Sequence, residues 1–124
     1  LRLLQGDVGS GKTVIALLVM LHQVERGMQA SLMVPTEILA RQHLAFIQPY
    51  AEKLGFSVEL LTGSMKESEQ REVRTRIASG KVDMVIGTHA LFQKKVDFAK
   101  LGLVVIDEQH RFGVQQRLAL SDKG

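Results

Sequence analysis

The sequence has no cysteine and no tryptophan, a single tyrosine and two prolines in 124 residues. Without cysteine there is no disulfide and no thiolate zinc site. No group of histidines has metal-ligand spacing. No apolar run approaches the about 18 residues that a membrane span needs, the longest being residues 14–21. No basic and apolar leader precedes a cleavage site. There is also no internal repeat, low-complexity tract or linker. A GTPase switch would need a guanine-reading Asn/Thr-Lys-x-Asp stretch, and an ABC-type ATPase a Leu-Ser-Gly-Gly-Gln signature; neither occurs. What is left is an ordinary balance of 45% hydrophobic and 23% charged residues with a net charge of +3. That balance predicts one soluble, intracellular domain with a real core, and permits a nucleic-acid partner without demanding one.

The chemistry is concentrated at the start. Gly6-Asp7-Val8-Gly9-Ser10-Gly11-Lys12-Thr13 fits a glycine, four free positions and Gly-Lys-Ser/Thr. Leu1-Arg2-Leu3-Leu4 before it reads as a short strand, and residues 13–25 behind it as a helix. Glycines let such a loop turn its N–H groups onto a triphosphate, and the helix N-terminus adds its positive dipole end. Lys12 would reach the β- and γ-phosphates, and the Thr13 hydroxyl would ligate Mg²⁺. Chance Gly-rich turns match the pattern, and the strand before it and the helix behind it argue against that reading.

Strands and helices then alternate, as in a parallel sheet covered on both faces. The first helix is apolar almost all round (Val14, Ile15, Leu17, Leu18, Met20, Leu21, Val24) and should be largely buried, with Gly27 ending it. Residues 30–34 form a second strand, and Thr36 caps a second helix carrying Leu39, Phe46, Ile47, Tyr50 and Leu54 on one side. Pro49 should kink that helix or start another at its own position. His43, four residues from both Leu39 and Ile47, reads as a packed histidine rather than a ligand. Residues 58–61 are a third strand. Ser64 and Glu67 form a capping box for a third helix that Gly80 stops. On that charge-rich helix Glu67/Arg71 and Glu72/Arg76 are spaced for i,i+4 pairs, and only Met65, Val73 and Ile77 face a core. Residues 83–87 and 103–106 are the fourth and fifth strands.

The fifth strand delivers Asp107 and Glu108 at its C-terminal end, where open α/β sheets bind ligands. Adjacent side chains on an extended chain diverge. Asp107 would hold Mg²⁺ and Glu108 would take the proton of an attacking water. Alone, an apolar run ending in two acids could be a helix cap; with the phosphate loop it makes an NTP-hydrolysing site.

The next residues narrow the class. Asp107-Glu108-Gln109-His110 resembles the Asp-Glu-x-His box of superfamily 2 helicases. Continued through Arg111-Phe112-Gly113-Val114-Gln115-Gln116-Arg117, the run resembles the RecG family of bacterial ATP-dependent DNA helicases. Gln5 through the phosphate loop, Pro35-Thr36-Glu37-Ile38-Leu39-Ala40 and Gly87-Thr88-His89-Ala90-Leu91 are similar to the same family, in order, over nearly the whole chain. The transcription-repair coupling factor shares the opening and the Arg-Phe-Gly-Val run; Ser10 and His110 favour RecG. The resemblance implies a RecA-like P-loop NTPase fold of three layers with a mostly parallel sheet. It also implies that residues 1–124 are the first lobe of a two-lobed motor, a fragment truncated at both ends. ATP and Mg²⁺ would be the cofactors. A second lobe would supply arginine fingers, a wedge domain would recognise the branch, and branched double-stranded DNA would be the partner, in the bacterial cytoplasm. An isolated nucleotide- or DNA-binding module without catalysis is the alternative.

Thr36, Thr62, Gly63, Thr88 and His89 fall at the ends of expected strands, where the family's matching segments touch the DNA backbone. Small hydroxyls and turn N–H groups suit phosphate oxygens. Thr36 and Ser64 serve equally as helix caps, and Thr62-Gly63 as a turn. Gln109, His110 and Arg111 are candidates for coupling nucleotide state to motion.

Overall fold

Apolar runs too short for helices, separated by longer amphipathic stretches, close into one parallel sheet. A computed structural model of the chain describes residues 2–6, 13–89 and 96–107. Its elements are β1 (Arg2–Gly6), α1 (Thr13–Glu25), β2 (Gln29–Val34), α2 (Glu37–Leu54), β3 (Val58–Leu61), α3 (Glu67–Ala78), β4 (Met84–Thr88) and β5 (Leu101–Asp107). The sheet order is β1-β5-β2-β4-β3, and every adjacent pair is parallel.

This order explains where the helices lie. From β1 to β3 the chain advances across the sheet; after β3 it turns back through β4 to β5. Right-handed crossovers place helices on opposite faces when the direction reverses. α1 and α2 accordingly share one face, with Ala16, Leu17, Met20, Ala40 and Ile47 packed on Leu32, Val34, Ile86 and Val105. α3 covers the other, with Val73 and Ile77 against Met33, Val85, Val104 and Ile106. Successive strand residues alternate between these two cores, as the pleat requires. A strand buried on both faces therefore reads as a continuous apolar run.

Two helix ends behave as expected. Gly27 and Gly80 sit at φ +80° and +81°. In each case the following N–H reaches back five residues, Met28 to the Gln23 carbonyl and Lys81 to the Arg76 carbonyl, closing a Schellman turn.

Several expectations need correction. α1 is not largely buried: Val14, Ile15 and Leu18 are 48, 58 and 60% exposed, because the sheet reaches only the Ala16/Leu17/Met20 side. α2 runs through Pro49 as one helix, so no second helix starts there. The carbonyl that Pro49 leaves without its helical N–H belongs to Ala45, and both residues lie on the exposed face, open to solvent. The buried stripe of α2 is Ala40, His43, Ile47 and Ala51, since small residues let the helix approach the sheet; Tyr50 and Leu54 are exposed. Finally, Ser64 and Glu67 do not form a capping box. α3 has Lys66 as N-cap with no side-chain cap, and Glu67 instead pairs with Arg74 at 3.2 Å. Arg76 forks onto Glu59 of β3, with Nη2 donating to Oε1 at 3.0 Å, rather than pairing along the helix.

Gln29 is the polar joint of the fold. Its buried amide donates to the Ile77 and Val82 carbonyls at 3.0 and 2.8 Å, and its oxygen accepts from Lys100 N at 2.8 Å. One side chain thus ties the end of α3 and the approaches to β4 and β5 to the start of β2.

Candidate nucleotide and nucleic-acid site

In a parallel sheet all strands run out at one edge, and here that edge gathers the polar residues. Gly6 pairs with Asp107, Val34 with Thr88, and Leu61 with Gly87. The candidate nucleotide half is β1, β5 and the start of α1. Gly6 ends β1 and Thr13 opens α1, so the phosphate loop bridges a strand and a helix. Asp7, Val8, Gly9, Ser10, Gly11 and Lys12 lie outside the described residues, as do Glu108, Gln109, His110 and Arg111.

Asp107 is fully buried at the end of β5. By strand parity it shares a face with Leu103 and Val105, the face that α1 and α2 cover. That places its carboxylate on the same side as the helix that Thr13 opens. It also explains its neighbour: His43, in the buried stripe of α2, brings Nε2 to 3.5 Å from Asp107 Oδ2. A buried carboxylate is a hard oxygen donor suited to Mg²⁺. Among the described residues no group of three or more His, Cys, Asp or Glu could hold a metal ion.

The second half of the edge is β2, β4 and β3. His89 is buried beside the end of β4, and its Nδ1 lies 2.9 Å from the Val34 carbonyl. A carbonyl only accepts, so Nδ1 carries the proton. Burial pushes the ring below its ordinary pKa, against the opposing pull of that bond and of the Asp107 charge. Thr36 caps α2, its Oγ1 accepting from Leu39 N at 3.2 Å. The Ser64 hydroxyl donates to Glu37 Oε2 at 2.6 Å, tying the turn after β3 to the first turn of α2. This bond, with Arg41, holds the Glu37 carboxyl below its usual value. The same turn is gripped from below. The buried Gln70 amide donates to the carbonyls of Met65, Thr62 and Gly63 at 2.9, 3.1 and 3.4 Å.

Of the five candidate DNA contacts, Thr36 and Gly63 are exposed, Thr88 is half-buried, and Thr62 and His89 are buried. All five flank the sheet's carboxyl edge. Sequence reasoning missed Gln70 and the reach of His43. The signal for Gln70 was its i, i+3, i+7 spacing with Val73 and Ile77; for His43 it was its spacing with Ala40 and Ile47. Glu37 gave no signal, since its partner is 27 residues away. Among the described residues, no helix is long and apolar enough to cross a membrane.

Residues 2–122 match the family model of DEAD/DEAH box helicases. The chain is 59% identical over 123 residues to the ATP-dependent DNA helicase RecG of Streptococcus pneumoniae, covering 99% of this chain and 18% of that protein. Against RecG of Escherichia coli O157:H7 it is 52% identical over 124 residues, covering 100% of the chain and 18% of the relative. It therefore spans less than a fifth of the length of these relatives. Among solved structures it resembles RecG bound to a three-way DNA junction, with a TM-score of 0.77 and 52% identity over 90% of this chain and 15% of that one. The Pyrococcus furiosus Hef helicase domain shares the fold at a TM-score of 0.66 and 17% identity, over 87% of this chain and 22% of that one. The chain belongs to the DEAD/DEAH box helicase family and, along its whole length, is similar to a segment of the RecG helicases.

Proposed function

We propose that residues 1–124 are the first RecA-like motor lobe of a RecG-type, ATP-dependent DNA helicase. Such a protein would couple ATP hydrolysis to movement on branched double-stranded DNA in the bacterial cytoplasm. The observation that carries the reading is the Gly6–Asp107 pair, which sets the root of the phosphate loop beside a buried carboxylate at the sheet's carboxyl edge. Lys12 grips the β- and γ-phosphates. Thr13 and Asp107 hold Mg²⁺, which supplies charge neutralisation on the phosphate oxygens. Glu108 accepts the proton as water oxygen attacks the γ-phosphorus and the bond to the β–γ bridging oxygen breaks. Gln109, His110 and Arg111 follow Glu108 in the sequence and would report nucleotide state.

Thr36, Gly63 and Ser64 form the DNA-facing surface, and Thr62, Thr88 and His89 support it from beneath. Such groups bond phosphate oxygens without reading bases, which suits an enzyme that moves along any sequence. The relatives' names support ATP use, and the junction complex supports a branched DNA partner. The full motor needs a second lobe, because trans-supplied arginines contribute about 10³–10⁵ in rate in related phosphoryl-transfer enzymes. The test is steady-state ATPase of the full-length protein with and without a three-way junction. We expect strong stimulation by the junction, and hardly any turnover from residues 1–124 alone. Turnover by those residues within tenfold of the intact protein would overturn the two-lobe reading.

A further inference from the structure

A polar contact between α2 and the end of β5 is made by one histidine, His43. α2 begins at the DNA-facing edge, where Thr36 caps it, and His43 lies seven residues further on, about 10 Å along the axis. There its Nε2 meets Asp107 Oδ2 at 3.5 Å, with the side chains 7 and 0% exposed. This is the outer edge of hydrogen-bond range, and both groups are held by rigid elements. β5 lies between β1 and β2 in the sheet, and His43 belongs to the buried stripe Ala40, His43, Ile47 and Ala51. A buried polar ring in an otherwise apolar stripe costs packing energy unless its nitrogen has a use.

We infer that His43 is a positioning residue for Asp107, fixing the carboxylate rotamer that receives the divalent ion. The inference rests on the reading of Asp107 as a metal holder. Partners of metal-ligating carboxylates orient the ligand, and losing one typically weakens metal affinity about 10- to 100-fold. Histidine suits the task because its ring reaches from a helix to a strand with one stiff planar group. A lysine there would bring a full charge and a flexible stem.

Two amides separate the role from simple space-filling. Gln can place its amide nitrogen near the position of Nε2, whereas Asn is too short and mimics Nδ1. In the full-length protein, Mn²⁺ binding in the presence of ADP is followed by electron paramagnetic resonance. Relative to wild type, His43→Asn should weaken Mn²⁺ about tenfold or more, and His43→Gln should stay within threefold. Mn²⁺ affinity unchanged in His43→Asn, or equally weak in both variants, overturns the inference. Should His43→Asn fail to fold, His43→Met, which fills the space without a nitrogen, takes its place. If neither folds, a tenfold loss in His43→Gln alone still overturns it. Asp107→Asn is the control for the underlying reading. If it leaves Mn²⁺ affinity unchanged, Asp107 is not the metal holder and both claims fall. If it weakens Mn²⁺ while His43→Asn does not, only the role of His43 falls.

Discussion

The two halves of the sheet's carboxyl edge are built in different ways. The proposed nucleotide half would draw its chemistry from two short runs, residues 6–13 and 107–108, in which neighbours in sequence would be neighbours in function. The other half draws on contacts across long separations. Glu37 and Ser64 are 27 residues apart, and His89 and Val34 are 55 apart. A phosphate loop needs only its own glycines and the flanking strand and helix, so its spacing is fixed along the chain. A surface that touches a nucleic-acid backbone needs only donors at suitable places, and any neighbouring loops can supply them. Local motifs therefore mark the first half, and the tertiary fold creates the second.

The sharpest way to break this comparison is to remove chemistry from the nucleotide half alone. In the full-length protein Glu108→Gln keeps the size and hydrogen bonding of the side chain but cannot accept a proton. Mg-ATP binding should persist while turnover falls by about 10²–10⁴-fold. Rapid-quench turnover beside equilibrium binding of a fluorescent nucleotide checks both. Normal turnover would place the general base elsewhere.

The same division explains what the sequence revealed. The alternating pattern gave every described strand to within two residues or so at its N-terminal end, and α1, Gly27 and Gly80 where they lie. Asp107 was legible because an apolar strand ends on it. Burial was harder to read from composition. α1 is the most apolar helix yet exposes Val14, Ile15 and Leu18, while the charged α3 buries Gln70. Which face of a helix meets the sheet depends on crossover geometry, and apolarity alone does not report it. Ion pairs departed from the i,i+4 spacing in two ways. Glu67 pairs with Arg74, seven residues on along the same helix, and Arg76 with the β3 residue Glu59 that the fold brings close.

A second perturbation acts on the other half through its support. Gln70→Leu would leave the Thr62, Gly63 and Met65 carbonyls without the amide they share, beneath the turn proposed to face DNA. Leaving buried acceptors unsatisfied costs about 1–3 kcal/mol. Urea melts should show that loss of stability, junction affinity should fall, and nucleotide affinity should stay unchanged. A parallel fall in nucleotide affinity would mean the halves are not separable. Ser64→Ala is a milder version. It removes one exposed bond to Glu37, so stability should barely move, while junction affinity weakens uniformly across sequences, as backbone contacts dictate. Sequence-dependent weakening in fluorescence anisotropy would assign base readout to this turn.

The smallest expected effect lies where the halves meet, at His89. Burial lowers its pKa from the ordinary 6.5, so the folded protein resists protonating a ring that the unfolded chain protonates freely. The sign follows from linkage. Above the ordinary value the ring is neutral in both states and its stabilising contribution is complete. As pH falls from there through the lowered folded value, the unfolded state binds the extra proton and the contribution is lost. His89→Asn can keep a donor toward the Val34 carbonyl, since its amide nitrogen takes the place of Nδ1, but it cannot titrate. The variant should therefore lose less stability than wild type between pH 7.5 and 5.5, with the two curves converging in shape above neutrality. Melting temperatures across that range, compared at fixed ionic strength, read the difference directly. Parallel curves would show that the ring is protonated equally in both states, and the buried environment assigned to His89 would then be wrong.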